Sequence, residues 1–370
     1  MARLTLVSAD DHMDLNELPA DLWQKRLPAK YRDAAPKVVV DQERGPHWVG
    51  DGQRWGPHGP GRPGSLPGLF ERQGFKGDWT VRPSTPRLRL EDMDRDGVYA
   101  QVIYPGLKGI PASQPELRYE CIKAYNDWTA EFDAAAHNRV FNLAVLPAHD
   151  PEATVLELER CARLGHRGAI FDHNDQRRPI FDPAWEPLWA AADEAGMPIS
   201  VHLAQAGTHS LVSRPSSWMM GAFVSVSALQ LDEVLSSMCF CGALERHPGL
   251  KIVLGESGLW WIPYLIKTMD RVFTNWRNTF KDFRPQVPPS ELLKRQILTT
   301  YLGDPESIRL MAQFAPESIM WSSDYPHPGS SWPHSRQGVA RDHQGLEPSV
   351  VARVTRENAA RLYRVPVGAN

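Results

Sequence analysis

Leu4-Thr5-Leu6-Val7-Ser8-Ala9-Asp10-Asp11-His12 is a short apolar run that ends abruptly in carboxylates and an imidazole. A run of this length, rich in branched aliphatic residues, reads as a β-strand. Similar runs follow at Val98–Ile103, Phe141–Leu146, Gly168–Phe171, Pro198–Val201, Lys251–Leu254, Gln296–Thr300 and Ser318–Trp321. They lack clean polar alternation, so both faces of each strand are expected to be covered, as in a parallel sheet under helices. Helical patterns separate them at about Glu116–His137, Pro151–Leu164, Trp185–Ala195, Leu229–Arg246, Leu259–Phe273 and Pro305–Phe314, with a last one near Pro348–Tyr363. Strands and helices in this alternation predict a (β/α)8 TIM barrel. A doubly wound sheet is the alternative, but no G-x-G-x-x-G follows the first strand.

In such a barrel the reactive groups gather at the carboxyl ends of the strands, so the residues just beyond each run carry the functional reading. Asp10 and His12 lie two apart and share one face of an extended chain, so both can point into the mouth. His202 follows the fifth run in P-I-S-V-H, Glu256 the sixth in K-I-V-L-G-E, and Asp324 the eighth in I-M-W-S-S-D. Each has an ordinary reading when taken alone. Asp10 or Asp14 could cap a helix starting near Leu15, and Asp324 could fix the turn over Tyr325–Pro328. Ligand-type residues at all these tips together point to one divalent metal held by Asp10, His12, His202 and Asp324. Zinc is the expected ion, with manganese or iron as alternatives. His173 after the fourth run, Tyr104 after the second, His327 in Y-P-H-P and Trp260 near Glu256 are candidates to contact substrate. Trp260 and Trp261 also start a helix, where packing is the plainer role.

The 370 residues are 42% hydrophobic, enough for a large core in one barrel domain spanning 1–370. A net charge of -3, with no block of like charge, gives no sign of nucleic acid or an anionic membrane as a partner. Cys121 and Cys161 lie in amphipathic helical runs. Cys239 and Cys241 form C-F-C, neither zinc-knuckle nor redox spacing, so a reducing cytoplasm is the expected compartment. The residues before Asp10 read as a strand rather than a signal peptide. No stretch is expected to supply the roughly 20 apolar residues of a membrane span.

Two segments exceed a minimal barrel. Residues from about Pro36 to Pro86 are dense in Gly, Pro, Trp and Arg, and read as a long loop without regular structure. This segment follows the first strand and so emerges on the functional face, where a lid or pocket wall is expected, with Trp48, Trp55 and Trp79 supplying apolar contacts. Ala206–Gly221, after the fifth strand, overhangs the same mouth. The tryptophan-rich insertion suggests a small, fairly apolar or aromatic substrate.

Longer motifs extend the pattern: L-E-D-M-D-R-D-G-V-Y-A-Q-V-I-Y-P at 90–105, L-P-A-H-D-P-E-A-T at 146–154, and F-D-P-A-W-E-P-L-W-A-A-A-D-E-A-G-M-P at 181–198. H-P-G-L-K-I-V-L-G-E-S-G-L-W-W-I-P-Y at 247–264 and W-S-S-D-Y-P-H-P at 321–328 complete the set. With Asp10-x-His12 and the V-H at His202, the chain resembles the amidohydrolase-related branch that includes aminocarboxymuconate semialdehyde decarboxylase. The resemblance covers nearly everything but the insertion. It implies a (β/α)8 barrel with one divalent metal, commonly zinc or manganese, and related barrels often pair into homo-oligomers. Asp10 and His12 match the first-strand pair, His202 the fifth-strand ligand, and Asp324 the eighth-strand aspartate that touches the metal and shuttles a proton.

One position departs from the pattern. The branch's decarboxylases carry a histidine at the end of the sixth strand, where this chain has Glu256. A glutamate suits a general base or a further ligand. It is a poor neighbour for a substrate carboxylate, because two anions repel unless one is protonated. The residues therefore suggest hydrolysis of a carbonyl compound. Bound metal would lower the pKa of a water to about 7, and Asp324 or Glu256 would take its proton. Non-oxidative decarboxylation of an aromatic or unsaturated acid is the alternative.

Overall fold

The computed structural model describes residues 5–42, 45–59, 84–107, 110, 112, 114–172, 178–203, 218–327 and 329–366. Its barrel is built from β1 (Leu6–Met13), β5 (Val98–Pro105), β6 (Val140–Asn142), β7 (Ala144–Val145), β8 (Ala169–Ile170), β9 (Ile199–His202), β10 (Ile252–Gly255), β11 (Ile297–Tyr301) and β12 (Ile319–Trp321). All pairings among them are parallel. The third barrel strand is split into β6 and β7 at Leu143. The Leu143 N–H donates to Ile103 O on one side, while the Ala144 N–H donates to Gly168 O on the other. The circle closes just past the end of β12, where the Asp324 N–H donates to Asp10 O and the His12 N–H to Tyr325 O. The fold is a (β/α)8 barrel, as the strand–helix alternation predicts.

The missing polar alternation has a direct structural reason. Val253 of β10 packs inside the barrel with Val7, Ala100, Val102, Leu298 and Met320. Its neighbours Ile252 and Leu254 face outward into the helical layer with Ile199, Val201, Ile262 and Ile266. Helix termini follow local chemistry. Asp150 accepts the N–H groups of Glu152 and Ala153, Pro151 fills the first turn, and Gly165 ends the helix Pro151–Leu164 at a φ of 102°.

Several elements differ from the sequence reading. The segment expected to lack regular structure forms an antiparallel sheet over its described first half: β2 (Lys37–Asp41), β3 (Gly45–Gly50) and β4 (Gln53–Pro57). Asp51 and Gly52, at φ 51° and 72°, make the Asp-Gly hairpin turn that twists with its strands. Trp48 is fully buried against Trp23, and its indole N–H donates to Leu15 O at 2.8 Å. Helices at Pro86–Asp96, Trp218–Val226, Pro289–Gln296 and Ser335–Asp342 were not apparent from periodicity. The long helix expected over Leu229–Arg246 breaks before Gly242, which sits at φ 86°. Trp218–Phe240 is long and apolar enough to cross a membrane by length and composition, contrary to expectation. Leu231, Val234, Leu235, Met238 and Cys239 within it nevertheless pack into the core under the helical layer. Residues 60–83, with Trp79, and most of Ala206–Gly221 lie outside the described residues.

Candidate metal centre

Asp10 and His12 reach the barrel mouth through an irregularity in β1. Ser8 pairs with Gln101 and Asp11 with Ile103, so β1 carries one extra residue across that step. A bulge of this kind re-aims side chains. Val7 and Ala9 pack inside the barrel, and directly after Ala9 the Asp10 carboxylate also turns inward. Its Oδ2 accepts the Thr300 hydroxyl at 2.7 Å and the Glu256 N–H at 2.8 Å. His202 is oriented from behind by its Nδ1, which lies 2.7 Å from Leu203 O. A carbonyl only accepts, so Nδ1 is the protonated nitrogen and Nε2 presents its lone pair. Gly255 permits this packing, since a Cβ there would lie 2.7 Å from the His202 ring and 2.9 Å from Tyr104.

The front atoms of the four predicted ligands converge. His12 Nε2 lies 3.2 Å from Asp324 Oδ1 and 3.4 Å from Asp10 Oδ1, and His202 Nε2 lies 3.7 Å from Asp10 Oδ1. Asp10 Oδ1, His12 Nε2, His202 Nε2 and Asp324 Oδ1 are all buried, and none makes a hydrogen bond of acceptable geometry. Buried polar atoms are normally satisfied. Asp10, His12 and His202 form one close set and His12, Asp324 and His327 another, sharing His12, and the orphaned carboxylate and imidazole atoms among them fit a divalent cation. Thr300, the Glu256 N–H and Leu203 O supply the outer hydrogen bonds that orient such ligands.

The local electrostatics agree with a site built to hold positive charge. Burial works against the charged form of His202, but Asp10 and Glu256 outweigh it and push the imidazole up to about 9. Burial likewise works against ionised Asp324, yet the His12 and His327 imidazoles beside it hold its carboxyl well below the usual carboxylate range. Burial raises Glu256, with His202 opposing the shift and Asp324 adding to it. A dication here takes over the role of these protons, so binding is coupled to their release.

The other predicted residues fall in different places. Glu256 sits at the rim with Oε2 3.5 Å from His202 Nε2. Glu256 and Asp324 both adopt positive φ, 50° and 58°, a costly backbone state that clusters at functional sites. His327 stacks on His12 at 3.9 Å, with Nδ1 2.8 Å from Asp324 Oδ1 and Nε2 3.3 Å from Asp14 Oδ2. Tyr104 is buried inside the barrel, its ring 5.0 Å from that of His202. Trp260 is 56% exposed at the start of the helix Trp261–Trp276. His173 lies outside the described residues.

Sequence reasoning missed Asp11, Thr300 and Arg89. Arg89 is fully buried, and its guanidinium donates to Gln101 Oε1 at 2.8 Å and to the His12 carbonyl. It lies on the unanticipated helix Pro86–Asp96, so no strand-end pattern could reveal it. Asp14 does stand at a helix start, with its N–H donating to Glu17 at 2.8 Å.

A parallel barrel with carboxylates and imidazoles converging at the strand ends defines a metal-dependent barrel enzyme. A sequence profile of the amidohydrolase family matches residues 20–365, and the chain belongs to that family. Gamma-resorcylate decarboxylase from Rhodococcus jostii (strain RHA1) is 25% identical over 302 residues, covering 75% of this chain and 87% of its own. An amidohydrolase from Mycobacterium avium subsp. paratuberculosis K-10 superposes with a TM-score of 0.76 at 20% identity, over 98% of this chain and 100% of that one. A dihydroxybenzoic acid decarboxylase from Polaromonas sp. JS666, with bound manganese and 2-nitroresorcinol, superposes with a TM-score of 0.65 at 17% identity, over 99% and 98% of the two chains.

Proposed function

We propose that this enzyme is a metal-dependent, non-oxidative decarboxylase of an aromatic or unsaturated carboxylic acid. The expectation of hydrolysis, drawn from Glu256, yields to this reading because relatives named as decarboxylases cover most of the chain. The observation that carries it is the placement of Asp324, whose Oδ1 lies 3.2 Å from His12 Nε2 in a close group with His12 and His327, where one carboxylate would serve both metal and proton. Asp10, His12, His202 and Asp324 would hold the ion. When bound, the cation supplies Lewis acidity that orients and polarises the acid substrate. Manganese, bound in the Polaromonas relative, joins zinc as the first ion to test.

Asp324 relays a proton, taken from the His327 imidazolium whose Nδ1 lies 2.8 Å from its Oδ1, to the ring carbon that bears the carboxylate. The carbon–carbon bond then breaks, its electron pair restores the ring, and carbon dioxide leaves. One acid anion and one proton thus give one arene and one carbon dioxide. His327 holds Asp324 in place during the transfer. Glu256 need not repel the substrate, because burial favours its neutral form, which can donate a hydrogen bond to a carboxylate. The β2–β4 sheet is tied to the chain leaving β1 by the Trp48 indole to Leu15 O, and His58 just past β4 lies 3.0 Å from Leu18 O.

The test is product analysis with the metal-loaded enzyme. Hydroxybenzoates and related unsaturated acids are to be assayed for carbon dioxide release, beside amides, esters and β-diketones. Release of carbon dioxide with formation of the decarboxylated arene is the expected result. Cleavage of the second group, with none from the acids, would restore hydrolysis.

A further inference from the structure

Asp11 separates the two first-strand ligands, yet its carboxylate engages different partners from theirs. It is 0% exposed. Its Oδ1 accepts the Tyr325 N–H at 2.9 Å and the hydroxyl of Ser323. These residues flank Asp324 on either side. The same seam is stitched by the Ser323 N–H to Ser8 Oγ at 2.8 Å, the Asp324 N–H to Asp10 O at 3.1 Å and the His12 N–H to Tyr325 O at 2.7 Å. Tyr325 is anchored further by its hydroxyl, which donates to Asp92 Oδ2 at 2.5 Å, and by the Arg89 guanidinium 5.4 Å from its ring. Between the two anchors Asp324 takes a φ of 58°, a sparsely populated state that aspartate tolerates better than most residues but that still has a cost.

We infer that Asp11 is the positioning residue for Asp324: by fixing the chain on both sides, it imposes the strained backbone that aims Asp324 Oδ1 at His12 Nε2. Without Asp11 the Tyr325 N–H and Ser323 hydroxyl lose their common acceptor, and Asp324 is free to relax to negative φ, which swings its carboxylate out of the ligand set. The clamp explains why adjacent aspartates occur at the end of β1. Asp10 contributes a ligand atom, and Asp11 secures a ligand that follows the last barrel strand.

This inference rests on the metal-centre reading, and cobalt titration of the full-length, chelator-stripped protein separates the two. Wild-type protein is expected to take up one equivalent and develop visible d–d bands. If it binds none, the metal reading fails and the inference falls with it. Given wild-type binding, Asp11→Ala is expected to lower cobalt affinity about 10- to 100-fold, the usual range for an outer-shell loss. Its spectrum should also shift as the Asp324 oxygen leaves the coordination sphere. Asp11→Asn keeps an oxygen acceptor in place and is expected to retain affinity within about threefold. Wild-type affinity and spectrum in Asp11→Ala, or an Asp11→Asn variant as weak as Asp11→Ala, would overturn the assignment. Circular dichroism of the stripped proteins reports folding. If Asp11→Ala does not fold, Ser323→Ala removes one of the two donors, and a several-fold weaker affinity with the same spectral shift is expected. An unchanged Ser323→Ala overturns the assignment too.

Discussion

Two buried clusters of ionisable groups in this protein have opposite hydrogen-bond states. Between the helices Pro115–Ala135 and Pro151–Leu164, Glu157 is 0% exposed and its oxygens are taken up. Asn126 donates to it at 2.7 Å, and Arg160 at 2.7 and 2.9 Å. Arg160 in turn pairs with Asp127, and Asn126 also clasps Val145 of β7 through its N–H and carbonyl. At the barrel mouth, Asp10, His12 and Asp324 are buried and His202 partly so, but each keeps one atom unsatisfied. A completed network holds helices to a sheet. An incomplete one offers the free donor atoms that the proposed cation would need. Burial and charge are shared by both, so the unsatisfied valence is what separates a structural cluster from a binding site.

Four measurements can break or sharpen that contrast. Asp324→Asn is expected to abolish turnover, by about a thousandfold or more as for loss of a proton donor, while metal content by elemental analysis stays at one per chain. Unchanged turnover would remove Asp324 from the chemistry. Glu157→Ala should cost about 3 kcal/mol of stability in urea unfolding, because it strands Arg160 and Asn126. Its metal affinity should match wild type, and a parallel loss of affinity would erase the distinction between the clusters.

The third measurement is metal linkage. An ion at a hundred times its Kd should add about 2.7 kcal/mol of stability to the wild type and to Glu157→Ala. A chelator should remove that increment, and His202→Ala should lack it. The smallest effect belongs to the surface. The Arg246 hydrogen bond, assisted by His247, lowers the Glu186 carboxyl from 4.5 to about 2. A depressed folded value means this pair stabilises above pH 4.5 and that its contribution is lost as the pH falls toward 2. Glu186→Gln should flatten that part of the acid-unfolding curve without altering metal content.

What could be read in the sequence follows the same physics. The strands were visible because branched aliphatic runs covered on both faces leave a strong signal. Asp10, His12, His202 and Asp324 stood out as ligand types at strand ends. Thr300 was hidden because a threonine inside a strand reads as ordinary β-propensity, and only the closed barrel brings it to Asp10. Asp11 was hidden by the alternation argument itself, which selected Asp10 and His12 and set aside the residue between them. The β3–β4 hairpin carried an Asp-Gly turn signal at Asp51 and Gly52, masked by the surrounding glycines and prolines. Glu256 pulled the reading toward hydrolysis with too much weight, because its charge depends on burial that no linear pattern reports.

The seam between β12 and β1 has a consequence for how the enzyme comes into being. Asp10 and His12 lie far from Asp324 in the sequence, so the clasp between them closes a long loop, a cost that must be met before the contact rewards it. A nascent chain extended only through β11 carries the first-strand pair and His202 but lacks the fourth ligand and the strand that seals the circle. On the proposed metal reading, a bound cation would therefore favour the closed barrel over forms in which this seam is open.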